Sequence, residues 1–154
     1  MHLISEVEIR FLVALLCCLV AGFVIGAERE SRGKDAGIST HTLVITGAML
    51  FTLFSSMVDP ASKSRIAAQV ITGIGFLGAG LILKEKNNVK NLTTAASLWI
   101  SAGIGMSFGY QFYVIGAITT IVVAITPKIP HISKKPIRPL EPDKVKLSPE
   151  EADD

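Results

Sequence analysis

Side chains able to do chemistry gather into three short groups in this sequence. Glu28, Arg29 and Glu30 form the first, Thr40, His41 and Thr42 the second, and Asn91, Thr93 and Thr94 the third. Carboxylate, guanidinium, imidazole and hydroxyl groups brought together could hold a cation, carry a proton or bind polar groups of another protein. Interfacial anchoring and helix capping are the competing reading. A smaller set comprises Asp59 beside Pro60, then Arg65, Gln69 and Thr72 at helical spacing. There Arg65 is expected to snorkel to a polar surface and Gln69 to bond between helices. Other constellations are missing. No His-x-x-x-His pair and no serine or cysteine spaced with a histidine base occurs, so no catalytic residue is assigned and an enzyme is not expected. Glu28 is the first candidate for any metal contact. Gly73-Ile74-Gly75-Phe76-Leu77-Gly78 fits a G-x-G-x-x-G dinucleotide pattern, but position 98, where an acidic residue should stand, is leucine.

The elements that must position these groups are apolar. Of 154 residues, 95 fall in four stretches without Asp, Glu, Lys or Arg: Phe11 to Ala27, Ala36 to Val58, Ile66 to Leu83 and Asn91 to Pro127. Charge-free runs of this length leave no polar face for water, which excludes a soluble enzyme and an ordinary nucleic-acid-binding domain. Crossing a hydrocarbon core of about 30 Å takes about 20 helical residues, so the first three stretches supply one span each. The fourth would reach roughly 55 Å and should fold back once, at Gly109-Tyr110-Gln111. The expected fold is an all-α bundle of five transmembrane helices at about 9–27, 39–58, 66–83, 92–108 and 112–127. Four spans with one re-entrant piece is the alternative.

Lysine and arginine counts set the orientation. With the N-terminus outside, the inner segments carry twelve of these residues, and only Arg10, Lys63 and Arg65 lie outside. The three polar groups then all face the cytoplasm. Met1 to Arg10 lacks the basic leader of a cleavable signal, so the first span is expected to remain. Cys17 and Cys18, adjacent on one helix, read as reduced packing residues. From 128 to 154 the chain turns rich in proline and charge, and a largely disordered cytoplasmic tail is expected.

Small residues recur four apart, at Ala14, Cys18, Gly22 and Gly26 and again at Ser97, Ser101, Gly105 and Gly109. Such stripes let helices pack closely inside a bilayer, or serve self-association. Gly73, Gly75, Gly78 and Gly80 could do the same, or permit a local break in the third span.

Several longer motifs carry a resemblance. Gly26-Ala27-Glu28-Arg29-Glu30, Arg32-Gly33-Lys34, Thr40-His41-Thr42-Leu43-Val44, Arg65-Ile66-Ala67-Ala68-Gln69-Val70, Gly73 to Gly80, and Asn91-Leu92-Thr93-Thr94-Ala95-Ala96 with Trp99 resemble the MgtC/SapB membrane proteins over roughly residues 20–110. The resemblance implies a multi-pass protein of the bacterial or archaeal inner membrane, tied to growth in low magnesium and, in intracellular pathogens, to survival in the host. It also implies regulation through membrane partners such as the ATP synthase. Two departures stand out: many relatives carry a folded domain after the last span, and the family usually has glycine where this chain has Asn91, a residue able to take the same left-handed turn or add a contact.

Together these readings give a non-enzymatic regulator of magnesium and membrane-energy homeostasis, without a cofactor other than Mg2+, acting as a homo-oligomer on a membrane partner such as the ATP synthase or a magnesium transporter. Its face would be Glu28, Arg29, His41, Asn91, Thr93 and Thr94. The alternative is a cation transporter or channel routed along Glu28, Asp59 and an opened third span.

Overall fold

The computed structural model describes residues 5–58, 61–85 and 88–129. Five helices follow one another: α1 (Glu6–Ser31), α2 (Ile38–Val58), α3 (Arg65–Leu81), α4 (Leu92–Gly109) and α5 (Tyr113–Ile125), the last running into a 3-10 turn over Thr126–Lys128. They coincide with the apolar stretches to within a few residues. α1 begins earlier than its charge-free run because Ser5 and Glu8 form a capping box, each side chain bonding the other's backbone N–H. α3 stops at Leu81, short of the expected 83, because the chain goes over into an extended strand, β1 (Leu83–Glu85), which pairs antiparallel with β2 (Asn88–Lys90). The fourth stretch breaks at Tyr110 to Phe112, with Gln111 left-handed at φ 66°.

α2 is clamped between two lines of small residues. On one side Ala14, Cys18, Gly22 and Gly26 of α1 are all buried, and a Cβ at Gly22 or Gly26 would strike Thr42 or the Ile38 backbone. On the other, Ser97, Ser101, Gly105 and Gly109 of α4 are buried, and Gly105 and Gly109 sit against the Ile45 and Met49 carbonyls. Close backbone approach of this kind supplies dispersion contact where lipid removes the hydrophobic drive for association. Ile25, Ile45, Met49 and Ile104 fill the space between.

α4 is the hub, touching every other helix. α3 lies at the edge. It buries only Ala67, Ile74 and Gly78, and the packing expected of its glycines is confined to Gly78, whose Cβ position lies 3.7 Å from the Ala95 Cβ. A Cβ at Gly73, Gly75 or Gly80 would meet no other part of the described residues within 4 Å. The helix is continuous through all four, so the local break is absent. Beside it, an apolar groove of about 560 Å³ runs between α2 and α3, with Ala102 of α4 on its wall.

The exterior is apolar. Phe76 is 83% exposed, and Leu16, Leu43, Val58 and Val114 are exposed like it, while Glu28, Arg29, His41 and Thr94 are buried. α1 and α2 are long and apolar enough to cross a membrane, and α3 and the Tyr113–Lys128 segment are shorter apolar helices.

Candidate functional site

The buried polar residues gather at one end of the bundle, where α1 finishes and α2 and α4 begin. The turn after α1 is tight. Gly33, at φ 63°, lets its own N–H reach the Glu30 carbonyl and the Lys34 N–H reach the Arg29 carbonyl, satisfying acceptors that the helix end leaves free. This brings the chain back so that Glu30 Oε1 accepts from the Ile38 N–H at 2.9 Å, capping α2 from the preceding helix.

Arg29 and His41 cross-link the three helices. Arg29 is 2% exposed and its Nη2 donates to Thr94 Oγ1 at 2.9 Å, tying α1 to α4. His41, fully buried, lies with Nδ1 2.9 Å from the Gly37 carbonyl and Nε2 3.2 Å from Ser97 Oγ, tying α2 to α4. A carbonyl only accepts, so Nδ1 carries a proton here. Ser97 Oγ also lies 2.8 Å from the Thr94 carbonyl. Its single proton serves either that carbonyl or a neutral imidazole, one at a time.

Glu28 sits differently. It is 9% exposed, its Oε1 lies 3.5 Å from Arg32 Nη1, and neither carboxylate oxygen has a hydrogen-bond donor among the described residues. Arg32 also donates to the Pro127 carbonyl, joining the end of α1 to the end of α5. Among the described residues no group of three or more His, Cys, Asp and Glu could hold a metal ion, so Glu28 belongs to no such group.

The remaining candidate residues divide by position. Asn91 precedes α4 at φ 62°, ψ 11°: it takes the left-handed turn and its side chain makes no cap bond. Thr93 is exposed on the first turn of α4, and Thr40 is partly exposed on that of α2. Arg65 and Gln69 lie exposed on α3, at the opposite end and away from the cluster. Gln69 borders the apolar groove and is not enclosed between helices, because α3 packs through its other face. Asp59 and nearly all of the expected tail lie outside the described residues. Sequence reasoning missed two contributors. Ser97 is visible there only as a member of a small-residue stripe, and Ser55 Oγ accepts from the Ile66 and Ala67 N–H groups at 3.1 and 3.2 Å, capping α3 from α2. At that same far end Tyr110 donates to the Lys63 carbonyl.

Apolar side chains turned outward around an interior of small residues and bonded polar groups define a helical membrane protein. The chain belongs to the MgtC family, matching it over residues 15–133. It is 47% identical over 113 residues to Protein MgtC of Salmonella typhimurium, covering 73% of this chain and 49% of that relative. To the Brucella abortus Protein MgtC it is 45% identical over 111 residues, covering 69% and 47%. To the Putative magnesium transporter YhiD of Escherichia coli K12 it is 41% identical over 129 residues, covering 74% and 59%. The chain thus spans about half the length of the curated relatives it matches. No solved structure matches it.

Proposed function

We propose that the chain crosses the inner membrane five times with its N-terminus outside, and that it is a non-enzymatic regulator of magnesium and membrane-energy homeostasis. It would act by engaging a membrane-protein partner, such as the ATP synthase or a magnesium transporter, at the cytoplasmic end of the bundle. The excess of Lys and Arg on that side supports the orientation. One observation carries the regulatory reading: Arg29, His41 and Thr94 are committed to bonds between helices, and the cavity that opens at this end is lined by Arg29, Arg32 and Lys34. A cation route walled by three cations would repel its cargo. The bare glycines of α3 support self-association along that edge.

Cation transport is the second reading. It is favoured by the buried Glu28 carboxylate, which has no hydrogen-bond donor among the described residues, and by the name of the Escherichia coli relative. Neither the apolar groove nor the basic cavity is lined by both Glu28 and Gly78, as a route along the third helix would require. Alanine at Glu28 and at Asn91 tests the regulatory face. In protein that still reaches the membrane, both are expected to impair growth in low magnesium and to reduce recovery of the crosslinked partner. Growth and recovery equal to the parent chain would sink the assignment.

A further inference from the structure

The cavity of about 340 Å³ between the ends of α1 and α5 and the start of α4 has a consistent chemistry. Its polar wall consists of three cations, Arg29, Arg32 and Lys34, and three hydroxyls, Thr93, Ser97 and Thr126, and the rest is aliphatic. Glu28, Glu30 and Asp35 are near in sequence, yet none lines it. Glu28 pairs with Arg32 and Glu30 caps α2, so no carboxylate stands on the wall beside Arg29 and Lys34. α4 adds the positive end of its dipole, since Asn91 makes no side-chain cap bond and Thr93 of its first turn is on the wall. A second observation points to a missing acceptor. Arg29 is 2% exposed, and its Nε–H has no acceptor among the described residues although Nη2 is bonded to Thr94. A guanidinium with a buried N–H left unmade is poised to take an anion.

We propose that this cavity binds a phosphate-bearing anion: phosphate oxygens would meet the two arginines, Lys34 and the Thr93 hydroxyl, while the aliphatic wall receives the apolar part of the molecule. Basic pockets between helices at a membrane surface take lipid headgroups in this way. The source is a phospholipid headgroup or a free phosphate compound, and the inference holds whether the protein regulates or conducts.

The test uses the full chain, delipidated in neutral detergent, with thermal unfolding and native mass spectrometry as readouts. Phosphatidylglycerol, zwitterionic phosphatidylcholine and inorganic phosphate are titrated separately. Stabilisation with one-to-one binding by phosphatidylglycerol and not by phosphatidylcholine identifies a lipid site, and stabilisation by inorganic phosphate identifies a soluble one. In either case Lys34→Glu is expected to weaken binding about tenfold or more, and Thr93→Val severalfold. Lys84→Glu, the same charge change outside the cavity, should alter it less than about twofold. Arg29→Lys keeps the charge but loses the fork, and should bind more weakly than the parent chain. No saturable binding of either probe, or equal losses for Lys34→Glu and Lys84→Glu, would overturn the proposal.

Discussion

α1 and α3 both carry glycines and both carry family motifs, yet their glycines meet opposite surroundings. Gly22 and Gly26 of α1 sit where any Cβ would collide with α2, whereas a Cβ at Gly73, Gly75 or Gly80 of α3 would meet no other part of the described residues within 4 Å. The polar residues divide the same way: Arg29 of α1 is buried and bonded across the bundle, and Gln69 of α3 is exposed beside an apolar groove. The same residue type therefore does two jobs. In α1 it closes the bundle on itself. In α3 it leaves a bare helix face, which a lipid or a second helix could approach.

The largest effect expected from this contrast lies at the glycines. Gly26→Leu would drive a side chain into the Ile38 backbone, which cannot rotate away, and should destabilise by about 3 kcal/mol or more. Gly75→Leu should shift monomer stability by less than about 1 kcal/mol. Thermal unfolding in detergent checks the pair, and equal losses would erase the distinction. A smaller contrast separates the polar residues. Arg29→Ala removes the charged donor that the Thr94 hydroxyl accepts from, at an expected cost of about 2 to 3 kcal/mol in the same assay. Gln69→Ala should fall within about 0.5 kcal/mol. A stable Arg29→Ala protein would show that the cross-link between α1 and α4 is dispensable.

The helices were legible because lipid-facing segments must be apolar around their whole circumference, so charge marks each end. The break near Gly109 to Gln111 was legible for a related reason, since 37 charge-free residues exceed one crossing. The two small-residue stripes lie on either side of one helix, α2. Three features were hidden because they depend on where distant segments meet. Ser55 caps a helix that begins ten residues later, His41 reaches Ser97 across 56 positions, and Arg29 reaches Thr94 across 65. Pattern placed Glu28, His41 and Asn91 at one edge but could not tell a bonded histidine from a carboxylate without donors. The β1–β2 hairpin was missed because Ile82 and Leu83 are as apolar as the helix before them. The Ser5–Glu8 cap could have been read, as its spacing is a local helix-start signal.

The regulatory reading rests on the polar cluster at the α1–α2–α4 end being a bonded surface and not a passage. Magnesium flux into liposomes containing the purified, folded chain, measured with an entrapped magnesium dye beside protein-free liposomes and a Glu28→Gln variant, tests this most directly. Uptake indistinguishable among the three is expected. Saturable uptake by the parent chain that Glu28→Gln abolishes would contradict the regulatory reading.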